Sequence, residues 1–460
     1  MPTDLHAPGV AAATLDPVAA PAALPYPELW RPGRIGRLEL KNRLVMAAMF
    51  VGYADRDGSF SRRHVDYFEA RAKGGAAMLV TESVLADVSV QPVHPEAPVT
   101  RCDSDAVLPR MKELTDAVHR HGARIALQVS PGQGRQSHFA TRQAPPKAPS
   151  PVPAFADASI PCRELTREEI RRLVGACADG ALRGAMAGFD MVEVHAHTGY
   201  LVDQFMTPLW NRRGDEYGGS LENRLRFPLE IVAAIKARAG AAFPVGFRLT
   251  AEHRVAGGRT LAEALEIARR LEEAGVDSLT VDAGCYDVEH WMNPPVYLGE
   301  APLAELAGAV RAAVGIPVIA SGSITRPDLA QRVLAAGSAD FVALGRGLLA
   351  DPEWPAKARA GRAAEIRPCI LCNEYCLGRL PSECMVNPAM GRERQLLPVP
   401  APVARRVVVV GGGPGGMEAA RVAAGRGHRV TLFERDGELG GQLRPAGDAG
   451  YKRSLRALRD

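Results

Sequence analysis

Met191-Val-Glu-Val-His-Ala-His197 is a short apolar run that carries titratable side chains toward its end. It is one of eight such runs, at 44–49, 77–83, 124–130, 191–197, 245–251, 278–284, 318–323 and 341–346. Each is rich in Val, Ile, Leu, Phe or Ala, and the theme repeats: apolar run, polar turn, amphipathic stretch. Apolar runs of this length bounded by turns read as buried strands. Thr166-Arg-Glu-Glu169 carries the signature of a capping box ahead of a helical run to Met186. Residues 261–274 and 328–336 place apolar side chains at i, i+3 and i+4, and Gly275 and Gly337 stand where a C-cap belongs. Eight strand–helix units in about 300 residues predict an α/β fold, a (β/α)8 TIM barrel. An open doubly wound sheet is the competing arrangement, and eight units favour closure.

A barrel of this kind does its chemistry at the C-terminal ends of its strands. The residues at those ends are unusual for core positions: Gln128, then Glu193, His195 and His197, then Arg248, Asp282, Gly322-Ser323 and Gly345-Arg346. Loops after strands seven and eight commonly hold phosphate through backbone N–H groups, and Arg346 adds a charge-assisted donor. A phosphorylated cofactor is therefore expected. Two long connections, 131–163 and 198–220, have the length of lids or binding loops.

After the barrel comes Pro368-Cys-Ile-Leu-Cys-Asn-Glu-Tyr-Cys-Leu-Gly-Arg-Leu-Pro-Ser-Glu-Cys384. Cys369, Cys372, Cys376 and Cys384 are separated by two, three and seven residues. Four thiolates this close need a cation to neutralise them, so the segment reads as a metal site. Zinc sites usually pair two separated Cys-x2-Cys units, whereas a compact triplet with a distal fourth cysteine suits a [4Fe-4S] cluster. The segment lies between two regions that each look built for a flavin, which favours the cluster.

A Pro-rich linker, 397–404, leads to Arg406-Val-Val-Val-Val410, then Gly411-Gly-Gly413-Pro-Gly-Gly416, a small-residue helix over 417–425, and a strand over 429–433 ending at Glu434. Strand, glycine turn, helix, strand and acid in register form the start of a Rossmann-like dinucleotide domain. Glu434 would accept from a ribose hydroxyl. Gly440-Gly441-Gln442 follows, and Asp460 is the last residue. One βαβ start does not make a whole dinucleotide domain, so weak FAD binding is expected.

The chain has 460 residues, room for two or three domains, and 47% hydrophobic and 23% charged residues are ordinary for a globular protein. A net charge of +4 with no basic run argues against nucleic acid. No segment has the apolar length of a membrane span. Residues 1–25 are Ala- and Pro-rich without the architecture of a secretory signal, and read as a disordered leader. The scattered Cys102, Cys162, Cys177 and Cys285 fit free thiols in a reducing cytoplasm. The expected organisation is leader 1–25, barrel 26–365, cluster segment 366–396, linker 397–404 and partial FAD/NAD(P) domain 405–460.

The run from Val192 through His195, His197, Thr198-Gly-Tyr200 and Asp203-Gln-Phe205, continuing to Asp215-Glu-Tyr-Gly-Gly-Ser220, resembles the old yellow enzyme barrels. With the cysteine cluster and flavin fingerprint, the chain resembles their iron–sulfur multi-domain branch. That branch holds the 2,4-dienoyl-CoA reductases, the bile-acid-inducible NADH:flavin oxidoreductases and trimethylamine dehydrogenase. The resemblance implies FMN in the barrel, [4Fe-4S] beside it, FAD in the C-terminal part and NAD(P)H as electron donor. It also implies that Ala47, Ala48 and Met49 line the flavin ring, that Gln128 bonds its pyrimidine edge and that Arg248 sits near N1 and O2. Gly322, Ser323, Gly345 and Arg346 would hold the phosphate, and Gly411, Gly413, Gly416, Glu434 and Gln442 belong to the FAD site.

In that frame His195 bonds a substrate carbonyl and Tyr200 donates a proton. The second carbonyl-binding position is Thr198 here, and strand alternation puts His197 on the face of His195, able to substitute. Where the dienoyl-CoA reductases place an acidic His after strand six, Tyr286 or His290 could serve. The implied activity is reduction of the C=C bond of an α,β-unsaturated carbonyl, an enoyl- or dienoyl-CoA or a steroid-like enone. The alternatives are amine oxidation, or a subunit fed electrons by another protein. The stretch after strand one, Met49-Phe-Val-Gly-Tyr-Ala-Asp-Arg56, lacks the cysteine to which trimethylamine dehydrogenase attaches its flavin. A small-molecule enone, and either a homo-oligomer or a separate donor subunit, are the expected partners.

Overall fold

The computed structural model describes residues 24–89, 99–137, 144–396 and 398–460. Most of the expected leader, residues 138–143 of the first long connection and residue 397 of the linker lie outside the described residues.

Eight strands form the barrel: β1 (Leu44–Met46), β2 (Met78–Val80), β3 (Arg124–Ser130), β4 (Met191–Ala196), β5 (Val245–Glu252), β6 (Ser278–Ala283), β7 (Val318–Ala320) and β8 (Phe341–Leu344). All neighbours run parallel, in the order β2-β1-β8-β7-β6-β5-β4-β3, and β2 pairs with β3 to close the ring. The closed sheet is the expected one, and the open doubly wound alternative is excluded. Helices cover the outside: α1 (Arg62–Lys73), α2 (Leu108–His119), α3 (Arg167–Met186), α4 (Leu221–Ala239), α5 (Leu261–Glu273), α6 (Ala304–Ala313) and α7 (Pro327–Ala335).

Local chemistry sets the helix ends. Thr166 accepts from the N–H of Glu169, and the Glu169 carboxylate accepts in return from the Thr166 N–H, closing the capping box of α3. Gly275 and Gly337 adopt φ of 88° and 69° past the ends of α5 and α7, where a side chain would be strained. Six strands stop sooner than the apolar runs in the sequence. The residues left over, among them Ala47, Ser83, His197, Ser321 and Gly345, turn out of the ladder and furnish the rim above it.

Two apolar layers hold the barrel. Inside it pack Val45, Met78, Val80, Met191, Ile319 and Phe341; outside, a larger layer joins the strands to the helices through residues such as Leu79, Leu127 and Phe247. Each such side chain contributes about 1.5–3 kcal/mol by leaving water. An antiparallel hairpin, Gly33–Ile35 with Leu38–Leu40, closes the N-terminal end, with Ile35, Leu38 and Leu40 in the inner layer.

The C-terminal unit consists of β9 (Arg406–Val410), α8 (Pro414–Gly425) and β10 (Arg429–Phe433). The strands pair in parallel from Arg406–Arg429 to Val410–Phe433. The helix begins three residues before the expected 417, because Pro414 at its first turn needs no hydrogen-bond partner for the N–H it lacks. A Cβ on Gly416 would lie 1.9 Å from the Gly411 carbonyl oxygen, so only glycine lets helix and turn approach this closely. Arg367 meets Glu418 at 3.0 Å, joining the cysteine segment to α8.

Candidate active site

The ends of β4, β5 and β6 form one polar cluster. Gln128 donates through Nε2 to Glu193 at 2.8 Å, and Thr280 donates to the other carboxylate oxygen at 2.7 Å. Burial raises the Glu193 pKa, with Arg248 opposing. Arg248 donates through Nε to Asp282 at 2.6 Å and through Nη1 to the Ala48 carbonyl at 3.1 Å, fixing the end of β1. His197 Nδ1 stands 3.0 Å from the same Asp282 oxygen, without hydrogen-bond alignment. Against the cost of burial, Arg248 and His197 hold the Asp282 carboxyl well below the usual carboxylate range.

His195 Nδ1 lies 3.2 Å from Ser130 Oγ and 3.3 Å from Ser83 Oγ. Either hydroxyl can donate to Nδ1, an arrangement that puts the ring proton on Nε2. Burial, then His197 and Arg248, push the His195 pKa well below that of ordinary histidine; burial and Arg248 lower that of His197. Both rings are therefore neutral at pH 7. Tyr200 packs its ring 4.3 Å from His195, centroid to centroid, and its phenol oxygen is 2.5 Å from that of Tyr286. Burial and Tyr286 raise the Tyr200 pKa well above 10, keeping the phenol protonated.

The turn that presents these groups is strained. Thr198 is β-branched, buried and at φ 52°, and its Oγ1 has no partner among the described residues. Two bonds hold it: Thr198 N–H to Thr250 Oγ1 at 2.6 Å and Gly199 N–H to Asp203 at 2.7 Å. Asp203 also accepts from Arg259 at 2.7 Å and faces His253 at 3.0 Å, all three fully buried. The sequence reading missed this anchor. Its signal was an acid inside an apolar six-residue stretch, Leu201–Met206.

A second cleft runs from Ala47, Ala48 and Met49 past Arg248 to Gly322, Ser323, Gly345 and Arg346. The amides of Ser323, Gly345 and Arg346 have no backbone partner among the described residues. Gly322 sits at φ 93°, and a Cβ there would meet Leu303 at 2.8 Å. Arg346 donates through Nη2 to Ser323 Oγ at 2.6 Å and to the Pro294 carbonyl at 2.9 Å, and through Nη1 to Asn373. Three of its five N–H groups are thus used and two are left for an anion. The cleft fits a phosphorylated planar cofactor: free amides and guanidinium at one end, small residues and a second guanidinium at the other.

Of the remaining expected residues, Tyr286 joins the cluster but His290 does not. His290 is exposed, with its ring beside Trp291 at 6.0 Å. Cys369, Cys372, Cys376 and Cys384 line one cavity with Arg346. Gly411, Gly413 and Gly416 form the turn into α8, and Gly412 N–H donates to Glu434 at 2.6 Å. Gln442 follows Gly441, whose Cβ would lie 3.0 Å from Gly413.

A closed barrel with a phosphate-sized cradle at strands seven and eight, and neutral donors on the neighbouring strand ends, defines a flavin-dependent oxidoreductase. The chain belongs to the NADH:flavin oxidoreductase / NADH oxidase family, whose profile matches residues 28–365, and residues 406–448 match the FAD dependent oxidoreductases. It is 44% identical to an NADH oxidase of Thermoanaerobacter brockii over 95% of this chain and 67% of that one. It is 40% identical to a cinnamate reductase of Clostridium sporogenes over 94% of this chain and 68% of that one. The structure of a 2-naphthoyl-CoA reductase complex superposes with a TM-score of 0.88 at 30% identity, covering 94% of this chain and 68% of that one. The chain thus spans about two thirds of the length of these relatives. Among the described residues no helix is long and apolar enough to cross a membrane.

Proposed function

We propose that this chain reduces the C=C bond of an α,β-unsaturated carbonyl at the barrel rim. The observation that carries the reading is the close pair of a neutral His195 and a protonated Tyr200 at the rim, their ring centroids 4.3 Å apart. Bound and reduced, FMN in the cleft would supply a hydride to the substrate's β-carbon. His195 Nε2, with His197 beside it, donates to the carbonyl oxygen as negative charge develops there. The Tyr200 phenol then gives its proton to the α-carbon, and Tyr286 at 2.5 Å shares the charge left behind. Hydride and proton together saturate the bond. Gln128, whose Nε2 is taken by Glu193, has its carbonyl oxygen left to accept from the flavin imide.

The cysteine segment supports a [4Fe-4S] cluster, which would supply single electrons. All four thiols line one cavity with Arg346, and a compact triplet with a distal fourth cysteine suits a polynuclear group better than zinc. Burial pushes Cys369 up to about 11 and Cys376 to about 12, so the site needs cationic metal to form thiolates. We place FAD at Gly411, Gly413, Gly416, Glu434 and Gln442, and NAD(P)H as the donor. The relatives named for cinnamate and 2-naphthoyl-CoA point to a flat conjugated substrate.

The test is single-turnover oxidation of dithionite-reduced protein by cinnamate, cinnamoyl-CoA and a steroid enone, with product analysis. Saturation of one of these C=C bonds is expected. Reduced flavin that persists unchanged with every enone would sink the reading.

A further inference from the structure

Arg346 is the shared wall of two cavities. Its side chain lines the cleft of Gly322, Ser323 and Gly345, and it also lines the cavity of the four cysteines. Burial lowers its pKa, and Cys369, Cys376 and Cys372 act in the opposite direction, so its charge lies within reach of three thiols.

Asn373 completes the link. It stands between Cys372 and Cys376, accepts from Arg346 Nη1 and donates to the Asn293 carbonyl at 2.8 Å. The next carbonyl, that of Pro294, accepts from Arg346 Nη2 at 2.9 Å and from Ser323 Oγ at 2.7 Å. Three segments thus meet in one network: the cradle, residues 293–294, and the cysteine loop. Leu371 and Asn373 hold φ of 52° and 59°, conformations that persist only when surroundings fix them.

We propose that Arg346 and Asn373 couple the two cofactor sites, so that a filled cysteine site raises the barrel's affinity for the phosphate of FMN. The inference rests on the assignment of both sites made above. A metal cluster pins the cysteine loop and so pins Asn373. Asn373 then holds the guanidinium against Ser323 before the phosphate arrives, and the ordering cost is removed from the binding step. Linkage makes the effect reciprocal: bound FMN must retard loss of the cluster by the same factor in equilibrium terms.

The experiment uses the full chain, stripped of FMN and of metal, with half reconstituted by iron and sulfide. FMN and riboflavin affinities are read from quenching of flavin fluorescence. FMN should bind at least ~5-fold tighter with the cluster, a typical lower value for coupled sites. Riboflavin, lacking phosphate, should show no difference. Asn373→Ala should keep its iron content but bind FMN equally with and without the cluster, and FMN should slow iron release to a chelator in wild type alone. Equal FMN affinity with and without cluster, or weaker affinity with it, overturns the coupling while leaving both site assignments standing. An Asn373→Ala chain that keeps the full difference overturns the route. A chain that takes up no iron, or no FMN, removes the assignments themselves.

Discussion

Asp282 and Arg248 meet at 2.6 Å through one carboxylate oxygen, and His197 reaches that same oxygen from 3.0 Å. Asp282 is the hub of the rim, because its other oxygen accepts from Ser321 on the far side. Asp282→Asn leaves a permanent guanidinium buried without its counter-ion. Breaking one partner of a buried pair costs about 3–5 kcal/mol. Urea unfolding should show a loss of this size, and an unchanged midpoint would refute the role of Asp282.

Tyr200→Phe keeps the ring against His195 and removes only the proton. Turnover of an enone should fall by ~10²–10⁴, the usual worth of a positioned acid, while flavin reduction keeps its rate. Tyr286→Phe should cost less, since it removes a neighbour of the donor and not the donor. Equal rates in Tyr200→Phe and wild type would place the acid elsewhere.

Acid should weaken the fold through the two rim imidazoles. Burial holds the folded pKa of His195 and His197 below that of ordinary histidine, near 6.5 in an unfolded chain. Below pH 6.5 the unfolded chain takes up protons that the folded rings refuse. Their stabilisation is therefore complete above 6.5 and declines as pH falls toward the folded values. Unfolding midpoints at pH 7.5, 6.5 and 5.5 should drop more steeply in wild type than in a His195→Asn/His197→Asn double variant. Parallel slopes would contradict the neutral assignment.

Gly322→Ala tests the cradle. The new Cβ meets Leu303 at 2.8 Å in a conformation at φ 93°. Strain of about 1–3 kcal/mol should appear in the fold, and purified protein should retain less FMN per chain. Wild-type flavin content in that variant would show that the loop does not need its glycine.

The barrel was legible because its strands are continuous apolar runs at regular spacing, and the rim because polar residues closed those runs. Gln128, His195, Arg248 and Arg346 were found that way, and Arg248 and Arg346 line one cleft. Two things were not legible. Asp203, His253 and Arg259 come from different stretches, and only folding brings a lone acid in an apolar helix against an imidazole and a guanidinium. Tyr286 and His290 were equivalent in sequence, four residues apart; the short turn Tyr286–Val288 aims one at Tyr200 and leaves the other in solvent. α8 starts at Pro414, inside the stretch assigned to the glycine turn, because the proline serves as a first turn.

Ile35, Leu38 and Leu40 act as a stopper in the barrel's lower end. Among the described residues the inner layer fills the barrel, so a molecule reaches the reactive centre from the C-terminal side of the strands. An oxidant arriving there has to wait until the previous visitor has gone. Kinetics of alternating occupancy, with parallel lines in double-reciprocal plots and each reactant inhibiting at excess, are the natural outcome of that architecture for any pair that both visit the rim.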